Sequence, residues 1–280
     1  MKLVICEKPS VAKAVASALG VTSRADGCFE GNGLIVSWCV GHLVSPMDAA
    51  GYDLGYKKWK YDDLPILPEP FRYVLAKGKE DAFQNLKHLM EREDVTELVN
   101  ACDAGREGEL IFRLVYEMAE CQKPFSRLWI SSMEDAAIRE GFQDLRPGAE
   151  YDPLYQSALC RQKADWLVGI NATRLFSVLY HRTLNVGRVQ TPTLAMLAER
   201  DAKITLFHKE KYHLLRLTLD GAEAVSEKFT DPAEAEQAAA MCKGVAVTCT
   251  SVTKEQKKEQ PPKLYDLTTL QREANRLFGY

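Results

Sequence analysis

Residues 97–110 read ELVNACDAGREGEL, and this stretch decides the fold. A run of strand character over 97–102 ends on Asp103. Two glycines and Arg106 follow among Glu107 and Glu109, and then Leu110, Ile111, Leu114, Val115 and Met118 recur at helical spacing over 109–119. The order is strand, acidic turn, helix. The amino terminus repeats it: 3–6 is a short apolar strand, Glu7 follows at once, and 10–19 is helix-forming up to Gly20, a residue suited to close a helix.

Outward from these two units the same alternation continues. Residues 34–40 are apolar and β-prone, and 80–91 place Phe83, Leu86 and Met90 on one helical face. A fourth strand is expected at 128–131. The SMED sequence at 132–135 is a capping-box pattern ahead of a helix over 136–145. Strands joined by helical crossovers predict a parallel sheet covered on both faces.

Residues 45–78 break the rhythm. Pro46, Pro65, Pro68 and Pro70 with Tyr52, Tyr56, Trp59 and Tyr61 predict a long irregular excursion, whose Trp59-Lys60-Tyr61 either stacks on bases or packs on the domain. Pro147-Gly148 marks a boundary. Beyond it, 152–180 reads as a helix, 185–192 as a loop and 193–201 as a helix. From 211 the pattern alternates as strands do. A helix at 232–242, a strand at 245–252, a polar exposed run at 254–263 and a helix at 267–278 complete the chain.

An apolar content of 46% over 280 residues suffices for a full core in one or two domains. No apolar run nears the roughly 20 residues of a membrane span. The opening apolar stretch is too short for a signal peptide, and Glu7 closes it. Both facts point to a soluble cytoplasmic protein. Cys6, Cys28, Cys39, Cys102, Cys121, Cys160, Cys242 and Cys249 are scattered without a C-x-x-C pair, so free thiols are expected rather than zinc or disulfides. The net charge of −3 hides an asymmetry. Residues 1–150 hold 18 Lys/Arg against 24 Asp/Glu, whereas 151–217 hold 10 against 5 with three histidines. An acidic lobe beside a basic one suits a metal-dependent enzyme that grips phosphates, though ordinary surface variation produces such differences too.

Glu7 and Asp103 each stand just past a strand. Ligands of open α/β sheets bind at the carboxyl ends of strands, where two acids distant in sequence share a site. Alone, Glu7 is equally a helix-start acid favoured by the dipole. Asp103, Glu107 and Glu109 repel one another unless a cation or Arg106 compensates. Mg²⁺ prefers one or two carboxylates plus water and substrate phosphate.

EKPS at 7–10, paired with D-x-x-R-E-G-E at 103–109, resembles the Toprim domain shared by type IA and type II topoisomerases and bacterial primases. DWLVGINATR at 165–174, VGRVQTPT at 186–193 and LYDLTTLQ at 264–271 narrow the resemblance to type IA DNA topoisomerases, most closely the bacterial topoisomerase III-like ones. The resemblance spans essentially the whole chain. It implies an α/β Toprim domain at 1–150, a parallel sheet flanked by helices. A mainly helical single-strand-binding domain follows at 151–211, then part of a β-rich arch at 212–262 and the start of the nucleophile-bearing domain at 263–280.

The resemblance also implies roles. Glu7 would be the general acid/base at the leaving 3′ oxygen and Lys8 would contact the scissile phosphate, with Arg106 supporting them. Asp103 and Glu107 would hold Mg²⁺, with Glu109 and Glu7 completing the acidic set. Arg161, Arg174, Arg188, Gln190 and Thr191 would lie along single-stranded DNA. Asp165 would be either part of that path or a simple i,i+4 partner of Arg161. No nucleotide cofactor and no membrane are implied, and a monomer is expected.

Two departures stand out. The Toprim motif is D-x-D, and here Gly105 occupies the second aspartate's place. The family's tyrosine nucleophile, which makes a 5′-phosphotyrosine, lies in a Y-P-R-T context absent here, and Tyr280 in LFGY does not match. The expectation is an amino-terminal part that binds DNA and metal without cleaving. The alternatives are another Toprim enzyme, such as a primase or nuclease, which would not need the 165–174 and 186–193 motifs, and a non-catalytic DNA-binding module.

Overall fold

The computed structural model describes residues 1–280 apart from Val247 and Cys249. It resolves into two compact units, Met1–Thr205 and Leu206–Tyr280.

The first unit begins with β1 (Lys2–Cys6), α1 (Pro9–Ala18), β2 (Ser23–Ala25), β3 (Cys28–Gly31), β4 (Leu34–Trp38), β5 (Val44–Pro46), α2 (Ala49–Tyr52) and β6 (Tyr73–Leu75). It continues with α3 (Glu80–Glu91), β7 (Glu97–Ala101), α4 (Arg106–Met118), β8 (Phe125–Arg127), α5 (Asp135–Gln143), β9 (Arg146–Pro147), α6 (Asp152–Leu179) and α7 (Gln190–Thr205). Seven strands form one sheet in the order β2-β3-β4-β1-β7-β8-β9. The central four, β4-β1-β7-β8, are parallel. β2, β3 and β9 pair antiparallel at the edges, so the sheet is mixed rather than wholly parallel.

The run LVIC in β1 is apolar throughout because both faces of the sheet are covered. Leu3 and Ile5 point into one core, with Phe83 and Leu86 of α3, Leu110 and Phe112 of α4, and Tyr155 and Ala158 of α6. Val4 and Cys6 point into the other, with Val11, Ala12 and Val15 of α1 and Ile138 of α5. Each fully buried aliphatic side chain of this kind contributes about 1.5–3 kcal/mol by leaving water.

Two hairpins that the sequence reading passed over extend the sheet. Asp26-Gly27 joins β2 to β3, and Asn32-Gly33 joins β3 to β4. Both residues of the second turn have positive φ (51° and 74°), the geometry that suits the twist of a two-residue hairpin. The fourth parallel strand lies at Phe125–Arg127, earlier than the expected 128–131. Leu98 fixes it, since Leu98 is opposite Phe125 and donates to the Pro124 carbonyl. The excursion at 45–78 carries the two-stranded β5–β6 pair. α7 starts at Gln190 instead of 193, because Thr191 exchanges two hydrogen bonds with Gly187 and begins the helix early.

In the second unit β10 (Arg216–Leu219) and β11 (Ala222–Val225) form a hairpin across Asp220-Gly221, and α8 (Pro232–Cys242) and α9 (Leu267–Phe278) follow. Aspartates cap both helices: Asp231 accepts from Ala233 N and Asp266 from Thr269 N. The strand expected at 245–252 includes Val247 and Cys249, which lie outside the described residues; its described positions are not in a strand. The seven described cysteines are free, and four of them (Cys6, Cys28, Cys39 and Cys102) are buried. No helix among the described residues is long and apolar enough to cross a membrane.

Candidate active site

β1 and β7 are hydrogen-bonded neighbours, with Cys6 opposite Ala101. Glu7 and Asp103 therefore leave the carboxyl ends of adjacent parallel strands. Glu7 is half-buried and its carbonyl accepts from Gly41 N, while Asp103 is exposed. The Asp103 charge reaches the thiol at the end of β1. Burial first, then Cys39 and the Asp103 charge, push the Cys6 thiol well above its ordinary range.

The turn carrying Asp103 is fastened from below by a buried arginine. Arg127, at the end of β8, has no exposed surface. Its Nη1 donates to the carbonyls of Asn100 (2.9 Å), Cys102 (2.7 Å) and Leu128 (3.0 Å), and its Nη2 to the carbonyl of Asp103 (2.7 Å). Its Nε lies 3.1 Å from Glu109 Oε2, an ion pair without the alignment of a hydrogen bond. Glu109 is itself fully buried. Its other oxygen accepts from Arg113 Nε (2.9 Å), and Asn100 Nδ2 donates to Oε2 (2.9 Å). Burial pushes the Glu109 carboxyl up, against the pull of Arg113 and Arg127. Both oxygens are occupied inside the protein, so the geometry does not bring Glu109 into a metal-ligand set.

Gly108 completes the turn. A Cβ there would stand 2.1 Å from the Asp103 carbonyl oxygen, so only glycine lets the first turn of α4 close over Asp103. Gly105 differs. Its backbone is extended (φ 176°), and a Cβ there would meet nothing within 4 Å.

Glu107, in the first turn of α4, points outward and is half-exposed. Arg161 Nη1 of α6 approaches it at 3.0 Å and His42 Nε2 at 3.6 Å. Arg161 also reaches Asp165 at 3.8 Å, but the tighter partner of Asp165 is Arg188, whose Nε donates at 2.6 Å. The Arg188 guanidinium holds the Asp165 carboxyl below the usual carboxylate range. Asp165 is thus more than an i,i+4 partner: it pins the 181–189 loop to α6. A cleft of about 260 Å³ opens here, lined by His42, Glu107, Arg161, Gln162 and Asp165 among others. Gln162 Oε1 is buried there without a hydrogen-bond partner.

Other expected residues are placed unevenly. Lys8 and Arg106 are exposed, at the start of α1 and in the first turn of α4. Gln190 and Thr191 are exposed in the first turn of α7. Arg174 is not open to a ligand along its length: it is 4% exposed, donates to the Tyr56 carbonyl (2.9 Å) and lies under the Trp59 ring. The 165–174 motif does structural work at this point. Trp166 Nε1 donates to the Met47 carbonyl (3.1 Å), and the Asn171 amide exchanges hydrogen bonds with both backbone groups of Ile66. The motif fastens the irregular excursion to α6.

With this geometry in place, comparison with known proteins is informative. A Toprim domain profile matches residues 2–133 and a DNA topoisomerase profile matches 149–280. The chain belongs to the type IA DNA topoisomerase family. It is 44% identical to DNA topoisomerase 3 of Shouchella clausii over all of its length, and 43% identical to that of Bacillus subtilis over 99%. It spans 39% of either relative. Full-length topoisomerase I of Thermotoga maritima matches 99% of this chain at a TM-score of 0.65 and 25% identity, through 44% of its own length. The two profiles meet the two halves of the site: Glu7, Asp103 and Glu107 fall in the first, Arg161, Asp165 and Arg188 in the second.

Sequence reasoning missed Arg127, Arg113 and His42. Arg127 carries no local signal, because its partners lie on β7 and α4. Arg113 was findable, since it stands four residues after Glu109 on the same helix. It also ties α4 to the start of α6 through Asp152 Oδ1 (2.6 Å) and the Gly148 carbonyl (2.8 Å).

Proposed function

We propose that this chain is the metal-and-acid portion of a DNA topoisomerase that breaks, passes and rejoins single-stranded DNA. The observation that carries the reading is the exit of Glu7 and Asp103 from adjacent parallel strand ends, with Glu107 in the following helix turn paired to Arg161 of α6. In the relatives' family the strand is broken by a tyrosine, and none of the tyrosines of this chain stands in the matching context. The chain alone is therefore expected to bind DNA without cleaving it.

Hard oxygen ligands suit Mg²⁺, which takes one or two carboxylates and fills its remaining positions with water and phosphate. Among the described residues no three His, Cys, Asp or Glu side chains form a ready metal cluster. A cation held by Asp103 and Glu107, with Glu7 beside it, needs no such cluster. Bound there, it would neutralise charge on the phosphate being attacked. Glu7, half-buried at the strand end, would give a proton to the leaving 3′ oxygen and take it back on rejoining. Lys8 would contact the scissile phosphate, with Arg106 supporting it. Arg161 and Arg188, now paired with Glu107 and Asp165, would turn to backbone phosphates, and Gln190 and Thr191 would continue the path. Arg174 would act from beneath Trp59. The remaining assignment divides 1–150, 151–211, 212–262 and 263–280 as set out above, in a monomeric cytoplasmic protein of bacterial type.

Two measurements test this. Binding of a labelled single strand should weaken with salt, by a log–log slope of about −0.7 per phosphate neutralised; affinity indifferent to salt counts against the reading. Incubation with single strand and Mg²⁺ should give no covalent protein–DNA adduct, and the substitution matching Glu7→Gln in a full-length relative should cost about 10²–10⁴ in cleavage.

A further inference from the structure

We propose that Trp59 is a stacking platform for one unpaired base of the bound strand, several nucleotides from the acidic turn; this rests on the reading of single-stranded nucleic acid as the ligand. Trp59 lies in the irregular excursion, yet its surroundings are fastened. Arg174 holds the Tyr56 carbonyl on one side, and the Asn171 amide clamps Ile66 on the other. The Arg174 guanidinium sits 5.4 Å from the ring centroid and is itself buried, so it covers one face of the indole. The residue nevertheless remains 41% exposed. An aromatic plane held by a cation beneath and open above presents its face to a ligand.

Two clefts meet at this ring. One, of about 420 Å³, runs from Trp59 past Thr173 and Gly169 to Asp165. The other, of about 370 Å³, runs from Trp59 to Ser177, His181 and Arg182. Asp165 also lines the cleft at Glu107. Arg161, Asp165, Gly169, Thr173 and Ser177 recur every fourth residue, a stripe that winds gradually round α6 from one cleft to the next. At about 1.5 Å per residue, Arg161 to Ser177 covers roughly 24 Å, long enough for several nucleotides.

The charges agree. Lys57, Lys58, Lys60 and Arg182 are exposed, and among the described residues no carboxylate stands within ion-pair distance of any of them. A basic rim with an aromatic plane is the arrangement that binds single strands irrespective of sequence, because every base has a π-face. A tryptophan serving only as packing would have sealed the excursion, and 41% exposure does not.

The test uses the 280-residue chain and a fluorescent oligothymidylate, with a second set of strands in which one nucleotide at a time is abasic. One abasic position should weaken binding to the unaltered chain about tenfold. Trp59→Ala should weaken binding of the intact strand to the same extent and lose sensitivity to that position, while Trp59→Phe restores both. Melting curves check folding; should Trp59→Ala unfold, Trp59→Leu keeps an apolar group over Arg174 without a π-face. An intact strand that binds Trp59→Ala as well as the unaltered chain, with the same abasic profile, overturns the proposal and leaves the single-strand reading standing. No binding of the intact strand to the unaltered chain at low salt overturns both.

Discussion

The turn after β7 and the loop between α6 and α7 both present charged groups to the same side of the fold, yet they are held in opposite ways. Beneath the first, Arg127 and Glu109 are wholly buried: Arg127 donates charge-assisted hydrogen bonds to the carbonyls of Asn100, Cys102 and Asp103, and Glu109 accepts from the side chains of Asn100 and Arg113. The second is held by Arg188 on Asp165, both substantially exposed, and by the hydroxyls of Thr173 and Ser177 on the Val186 and Leu184 amides. Exposed ion pairs contribute about 0–1 kcal/mol, whereas removing one partner of a buried pair costs about 3–5 kcal/mol. The acidic turn is thus built rigid and the loop is built to exchange partners. That division suits a site where acids must hold position while arginines move between protein carboxylates and phosphate.

Arg127→Met breaks the comparison most severely. It removes one of the two cations paired with the buried Glu109 and takes the Arg127 donor from the carbonyls of Cys102, Asp103 and Leu128, and should destabilise the first unit by about 3–5 kcal/mol in chemical denaturation. Adding Glu109→Gln to it should recover part of the loss, because the buried carboxylate left with Arg113 as its one cation is gone. Next comes Gly108→Ala. Its methyl group collides with the Asp103 carbonyl, so a loss of about 1–3 kcal/mol is expected, with the Asp103 and Glu107 amide resonances displaced. A melting temperature and spectrum unchanged by this substitution would contradict the close packing.

The loop should respond to pH rather than to packing. Arg188 lowers the Asp165 value in the folded chain, so their pairing stabilises above the ordinary carboxylate value and fades as pH falls through the lowered one. Amide exchange at 186–189 should accelerate over that acid range and become indifferent to it in Asp165→Asn. The smallest structural effect is expected at Gly105. Its extended backbone and empty surroundings admit an aspartate, so Gly105→Asp should change stability by no more than about 0.5 kcal/mol while tightening divalent-cation binding.

Much of this was legible in the sequence because it depends on local pattern. The two strand–acid–helix units, α3, α8 and α9 follow from apolar spacing and caps, and the pairing of EKPS with D-x-x-R-E-G-E located the acids. The hairpins β2–β3 and β3–β4 were also written there, in Asp26-Gly27 and Asn32-Gly33, but their strands are too short for alternation to stand out. Three features were not legible for a physical reason. Glu107 and Glu109 look alike in sequence, and only the fold turns one outward and buries the other on Arg127. Arg174 reads as a phosphate contact until the excursion folds over it. Trp59 is neither wholly packed nor wholly free, because the buried Arg174 lies against its ring while the residue stays partly exposed.

The decisive measurement is titration of the chain with Mn²⁺ as a paramagnetic stand-in for Mg²⁺, read by the broadening of assigned amide resonances. Broadening centred on residues 7–8 and 103–107, and abolished by Asp103→Asn together with Glu107→Gln in a chain that still melts normally, is the expected result. Broadening centred elsewhere, or unaffected by that double substitution, would mean that the ends of β1 and β7 do not share a cation.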